Sequence, residues 1–364
     1  MTKKERVQRL IRRQAIDYLP SNVFFASPDT KISLQRSLGL ASIEELDGFL
    51  ENHLPMTAIR DDIYRYRGNR EYLEKAQHTI HARVDWEKEV VYDRWGIGFD
   101  MKSDGTCIAH HPLRGASDRE IMGYVVPDPD VPGNYAMAEE DLKRLSGEYL
   151  IFLSGYLGIF ERAWMLMGYE ELLVGLECGE KSTAVLLEKI LENKLSIARK
   201  SVELGFEVGH TGDDFGGQYS LMMSRDTWRR CFRPLYQRLW RVYKDAGLPV
   251  IHHSCGNVTD IMGDLVDLGV DVLEPVQRVM DFRKLKKEYG RHIVFWGGIP
   301  TQTVFPFGTP DDVRRETREV IRTLGAGGGH IIGPDQEIMA DVPIDNIVAY
   351  VETVREERDK VLRS

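Results

Sequence analysis

The sequence predicts an α/β protein folded as a (β/α)8 TIM barrel, and three observations carry that reading. From about residue 145 onward, short β-branched or aromatic runs alternate with helical-period segments, the pattern of parallel strands joined by crossover helices. Each run stops at polar or glycine residues, where a barrel of this kind keeps its reacting groups. A length of 364 residues exceeds an ordinary domain but suits one α/β barrel with insertions. We therefore expect a single domain over residues 1–364, with an elaboration on the barrel at about 41–145.

In chain order, Met1-Thr2-Lys3-Lys4-Glu5-Arg6 leads into a charged amphipathic helix, and a first strand follows near 22–26. Between about 41 and 145 the rhythm breaks into two charged helices, the stretch 90–102, Pro127-Asp128-Pro129-Asp130 and Pro132-Gly133. The further strands are expected at 149–153, 205–209, 248–252, 270–273, 292–296 and 330–333. Residues 224–247 place Trp228, Phe232, Leu235, Leu239 and Val242 at three- and four-residue spacing, which predicts one helix with a buried stripe despite Pro234 near its middle. At Thr309-Pro310-Asp311-Asp312 a helix should begin, because Thr309 can cap, Pro310 suits the first turn and the aspartates favour the positive end. Gly325 should end it.

Composition narrows the function. With 42% hydrophobic and 29% charged residues the chain is that of a compact folded protein. Its net charge of −9 is spread without a basic stripe, which argues against a nucleic-acid partner. No apolar run approaches membrane-spanning length and the N-terminus lacks the apolar core of a signal peptide, so a cytoplasmic protein without a membrane partner is expected. Cys107, Cys178, Cys231 and Cys255 form no paired spacing, so a cysteine matters here through its thiolate and not through a disulfide.

The strand ends hold the chemistry. Val250-Ile251 runs into His252-His253-Ser254-Cys255-Gly256-Asn257, Phe206-Glu207-Val208 into Gly209-His210-Thr211-Gly212-Asp213-Asp214, and Val272-Leu273 into Glu274-Pro275-Val276-Gln277. His253 and Cys255, two apart at a strand end, project to one side, and imidazole with thiolate suits a borderline-soft ion such as Zn²⁺. Their plainer reading is a buried histidine beside an inert cysteine. A third ligand is sought among Glu274, Gln336 and Glu337 on other strand ends. Asp213 and Asp214 are candidate catalytic carboxylates, able to orient a substrate or move a proton; the alternative is a helix cap or an ion-paired couple. His110-His111 read as loop histidines, and Tyr92 and Trp95 as packing.

His253-Ser254-Cys255-Gly256-Asn257, followed by Gly269-Val270-Asp271 and Glu274-Pro275-Val276-Gln277, resembles the uroporphyrinogen decarboxylase superfamily. Gly212-Asp213-Asp214-Phe215-Gly216-Gly217-Gln218, Trp296-Gly297-Gly298-Ile299-Pro300-Thr301-Gln302, Phe307-Gly308-Thr309-Pro310 and Asp341-Val342-Pro343-Ile344-Asp345-Asn346 extend the likeness in the family's order. Within these matched segments Gln218 and Gln277 are the candidate substrate-binding side chains. The resemblance implies that decarboxylases of the superfamily carry arginines just after the first strand, where this chain reads Phe24-Phe25-Ala26-Ser27-Pro28-Asp29. It implies equally that the corrinoid-dependent methyltransferases hold zinc with an H-x-C pair and a distal cysteine. His253 and Cys255 match the pair, and Gln336 stands at the distal position.

The expectation is a zinc-dependent methyltransferase that demethylates a small methylated compound, such as a methyl ether, and passes the methyl group to a corrinoid carried by a partner protein. Two other readings compete. One is a metal-free, decarboxylase-like lyase using Asp213 or Asp214; the other is a non-catalytic binding protein on the same barrel.

Overall fold

The computed structural model describes residues 1–60, 73–74, 82–101, 107–155 and 157–362. In chain order its strands are β1 (Met56–Thr57), β2 (Arg83–Asp85), β3 (Val90–Tyr92), β4 (Gly98–Asp100), β5 (Ile108–His110), β6 (Phe152–Leu153), β7 (Gly209–Gly212), β8 (Val250–His253), β9 (Val272–Val276), β10 (Val294–Ile299) and β11 (His330–Pro334). β7 to β11 pair in order as one parallel sheet, and β1 pairs in parallel with β6.

Backbone hydrogen bonds join these pieces into a closed wall. The segment 21–25 bridges β11 through Ser21–Ile332 and meets the chain leading into β1 through Ser21–Asn52. Asn22 N donates to Ile332 O at 2.9 Å, and His53 N to Ser21 O at 3.1 Å. At the remaining seam Gly212 N donates to Gly155 O at 2.9 Å, linking the end of β7 to the chain leaving β6. Eight parallel segments thus surround one axis, which is the predicted (β/α)8 barrel. Phe24, Phe152 and Trp296 cluster inside it with ring centroids 5.6–6.4 Å apart; Phe152 meets both of the others edge to face, and Phe24 and Trp296 are tilted.

Three expectations need correction. The second barrel strand, β1, lies inside the span read as elaboration, so the interruption begins after Thr57; its core is the antiparallel sheet β2-β3-β4-β5. The helix expected over 224–247 is two helices, Arg225–Cys231 and Arg233–Asp245, because Pro234 has no N–H to continue the first and instead sits in the first turn of the second. Strands β7 to β10 start two or more residues later than the apolar runs suggest and run on past them into polar, proline or glycine residues. The Thr309 cap forms as expected: Asp312 N donates to Thr309 Oγ1 at 3.2 Å and Thr309 N to Asp312 Oδ2 at 2.9 Å.

The elaboration is tied to the barrel by a buried ion pair. Arg162 Nη1 lies 2.7 Å from Asp93 Oδ2, and the guanidinium sits 4.8 Å from the Trp95 ring centroid. Asp93 also accepts from Trp95 N and Ile97 N, so neither charge is buried without partners.

A second buried polar junction secures the first two strands. Arg6 Nη1 lies 3.3 Å from His53 Nε2, and His53 Nδ1 lies 3.1 Å from Ser21 O. Guanidinium only donates, so Nε2 accepts and Nδ1 carries the proton to Ser21 O. Burial, helped by the Arg6 charge, pushes the His53 pKa down to about 4. Below its unfolded value the denatured chain takes a proton that the folded chain refuses, so stability is lost as pH falls from about 6.5 to about 4. The stability advantage of the native chain over His53→Gln should therefore shrink by about 3 kcal/mol between neutral pH and pH 4 in urea melts; a difference independent of pH would contradict this.

Candidate metal centre

The carboxyl ends of β7 and β8 meet at one imidazole. β8 ends at His253, and Cys255 lies two residues on, so the pleat brings both side chains to the same side. Cys255 Sγ lies 3.5 Å from His253 Nε2, and Asp214 Oδ1 lies 3.3 Å from that same nitrogen. One donor atom from each of Asp214, His253 and Cys255 falls within 4.8 Å of the others. The Cys255 backbone also donates to Asp214 Oδ1 at 2.8 Å, which fixes the carboxylate against the sulfur.

The two aspartates have separate tasks. Asp213 Oδ2 accepts from Phe160 N and Tyr236 Oη, each at 2.7 Å, and Oδ1 accepts from Glu161 N at 2.8 Å. Fully buried, it holds the N-terminus of the helix Ile159–Met167 to the barrel wall, where its charge suits the positive end of the helix. It is therefore the capping residue, not a carboxylate facing a substrate; only Asp214 faces the imidazole. Burial nevertheless pushes the Asp213 carboxyl up to about 7 against those hydrogen bonds.

Glu274 is likewise repositioned. Its Oε2 lies 2.5 Å from His253 Nδ1, the ring nitrogen away from Cys255, so it is a partner that orients the imidazole and not a donor to the same ion. With Nδ1 directed to Glu274, Nε2 is the ring nitrogen that faces Asp214 and Cys255. Gln336 donates from Nε2 to Cys255 Sγ at 3.0 Å, and its Oε1 accepts from Glu337 N at 3.0 Å. Its oxygen is thus turned from the centre, and its N–H stabilises a thiolate. Among the described residues the side chain of Glu337 is outside the three-donor cluster.

Gln277 braces the wall: its Oε1 accepts from Gly256 N at 2.6 Å and its Nε2 donates to Asp335 O at 3.1 Å. Gln218 lies exposed on the turn between the bridged residues Gly216 and Leu221. That turn packs against the Cys255 loop at contact distance. A Cβ on Gly256, whose φ is +80°, would lie 2.1 Å from Gly216 O, so only glycine fits.

Sequence reasoning missed Glu161. It stands in the first turn of the Asp213-capped helix, and its carboxyl is pushed up to about 8 by enclosure and by the charges of Asp214 and Asp213. It lies eight residues beyond β6, too far from a strand end to draw notice; the Gly158–Glu161 capping spacing was its available signal. Around His253, enclosure and then Asp214 push the Cys255 thiol up to about 12. Enclosure also raises Asp214, but the hydrogen bond and charge of His253 outweigh it and leave its pKa lowered. Crowded acidic groups with a thiol and an imidazole make a site that a divalent cation would neutralise, and the S, N, O donor set fits zinc with one position open.

A closed parallel barrel with its titratable cluster at the strand ends has the architecture of a TIM-barrel enzyme site. The sequence profile of the uroporphyrinogen decarboxylase (URO-D) family matches residues 89–357, and the chain belongs to that family. It is 25% identical over 281 residues to the uroporphyrinogen decarboxylase of Thermus thermophilus, covering 72% of this chain and 76% of that one. It is 22% identical over 364 residues to the methylcobamide:CoM methyltransferase MtbA of Methanosarcina acetivorans, covering 97% and 98%. A methyltransferase structure from Methanosarcina mazei shares the fold, with a TM-score of 0.68 at 18% identity over 98% of this chain and 99% of that one.

The division of labour between the aspartates can be measured. Asp213→Ala leaves a buried tyrosine hydroxyl and two helix N–H groups without an acceptor and should lower stability by about 2–4 kcal/mol in urea melts. Asp214→Ala should lower it by less than about 1 kcal/mol; the reverse order would contradict the assignment.

Proposed function

We propose that this chain is a zinc-dependent methyltransferase that takes a methyl group from a small methylated compound, such as a methyl ether, and passes it to a corrinoid on a partner protein. The observation that carries the proposal is the convergence of Asp214, His253 and Cys255 at the carboxyl end of the barrel. Those three side chains would hold the ion, with Asp214 in place of the Gln336 ligand suggested by sequence. When bound, Zn²⁺ supplies a Lewis acid that improves the heteroatom carrying the methyl group as a leaving group. Glu274 holds His253 in the tautomer that offers Nε2, and Gln336 donates to the sulfur and favours its thiolate form.

Two further observations support the reading. The methyltransferase relative MtbA matches this chain nearly end to end, whereas the first decarboxylase relative covers 72% of it. Tyr219 and Phe307, 94% and 82% exposed, stand on the connections that leave β7 and β10 at the same end as the centre, as a rim that docks a carrier protein requires. The segment 24–29 offers no guanidinium for porphyrinogen carboxylates.

Zinc-loaded protein should retain one equivalent after dialysis. Cys255→Ser should lose most of it and Gln336→Ala should keep most, because the first removes a ligand and the second only a hydrogen bond to one. Equal retention by the native chain and Cys255→Ser would remove Cys255 from the centre. Uroporphyrinogen should be left unchanged by the purified protein; enzymatic formation of coproporphyrinogen would favour the decarboxylase reading instead.

A further inference from the structure

The ends of four consecutive strands meet at Asp335, the residue that follows β11. Its carboxyl Oδ1 accepts from Thr301 N and from Thr301 Oγ1, each at 2.8 Å, and its own N–H donates to Ile299 O at 2.8 Å. The end of β11 is thereby clamped to the turn that leaves β10. Its carbonyl accepts from Gln277 Nε2, just beyond β9, and the oxygen of that same side-chain amide accepts from Gly256 N in the loop after β8. Cys255 is the residue before Gly256. A second route to it starts at the next position, where Gln336 donates from Nε2 to Cys255 Sγ at 3.0 Å.

Both routes need a fixed origin. Gln336 is exposed, so water competes for its amide, and a long side chain gives up rotamer freedom when it bonds to one atom. Its hydrogen bond to sulfur is favourable only if the backbone beneath it is already held. Thr301 and Ile299 hold it on one side through Asp335, and on the other Ile338 N donates to Phe24 O at 2.8 Å. Asp335 is 5% exposed, and burial pushes its carboxyl up to about 6. Both of its side-chain hydrogen bonds go to Oδ1, and a neutral amide oxygen would accept them equally well. The position therefore requires an acceptor and not a charge.

We propose that Asp335, braced by Thr301, is a positioning residue for Cys255: it fixes the Gln336 amide that hydrogen-bonds the sulfur and the Gln277 arm that holds the Cys255 loop. Among the described residues it makes no hydrogen bond to Asp214, His253 or Cys255 and acts only through these two side chains. The inference rests on the metal centre described above and does not depend on methyl transfer.

Co²⁺ titrated into the full metal-free chain reads the sulfur directly. A thiolate on cobalt gives a near-ultraviolet charge-transfer band, and a hydrogen bond that stabilises the sulfur lone pair moves that band to higher energy. Gln336→Ala should shift the band to lower energy, and Asp335→Ala should shift it in the same direction. The double variant should shift it no further than Asp335→Ala, because the two residues act on the sulfur in one line. Asp335→Asn should keep the native band. Thr301→Val removes one donor and leaves Asp335 in place, so it should give a smaller shift of the same sign, and it serves if Asp335→Ala does not fold. A native band in Asp335→Ala, or in Thr301→Val where the first variant is unfolded, would overturn the proposal. So would equal shifts in Asp335→Asn and Asp335→Ala, which would assign the role to charge, or additive shifts in the double variant. A native chain that takes up no cobalt, or takes it up without the sulfur band, would overturn it together with the metal centre.

Discussion

The carboxylate of Asp213 accepts hydrogen bonds from two helix N–H groups and one tyrosine hydroxyl, and much of the site depends on where that anchor falls. Strand alternation sends consecutive side chains to opposite faces of the barrel wall. With Asp213 committed outward to the helix Ile159–Met167, Asp214 must face inward towards His253. The same helix carries Glu161, which borders the centre, and Arg162, which ties the antiparallel sheet to the barrel through Asp93. One cap thus sets the third donor of the centre, the acid beside it and the attachment of the elaboration.

The centre itself is an arrangement of unfavourable charge held in place by hydrogen bonds. Asp214, Glu161 and Glu274 crowd one imidazole, and the Cys255 thiol is held protonated by its enclosure and by Asp214. Such a cluster is stable only because each member has a partner: Glu274 on Nδ1, the Cys255 amide on Asp214, the Gln336 amide on sulfur. A divalent cation would remove the repulsion and deprotonate the thiol in one event, which is how metal binding couples to protonation. Behind it, Gln277 and the close contact between Gly216 and Gly256 keep the Cys255 loop from relaxing away.

How much of this was legible in the sequence follows from which signals are local. The H-x-C pair, the barrel rhythm and the Thr309 cap are set by neighbouring residues and stand where they were expected. The limits of β7 were not, because Gly-His-Thr-Gly has no apolar period and is a strand only through its neighbours. The roles of Asp213 and Asp214 turn on a one-residue register that composition does not reveal. Glu274 and Gln336 were seen as ligands since their chemistry allows it; only geometry shows that Glu274 meets the far nitrogen and that Gln336 offers its N–H. Glu161 and Asp93 act across long sequence separations, and Pro234 restarts a helix instead of kinking one.

The central claim is that Asp214, His253 and Cys255 form one metal centre. Zinc K-edge X-ray absorption on the purified, zinc-loaded protein tests it most directly. The account predicts a first shell with one sulfur at about 2.3 Å and nitrogen and oxygen scatterers at about 2.0–2.2 Å, including the outer-shell pattern of one imidazole. A shell of oxygen and nitrogen alone, or one holding two or more sulfurs, would contradict it.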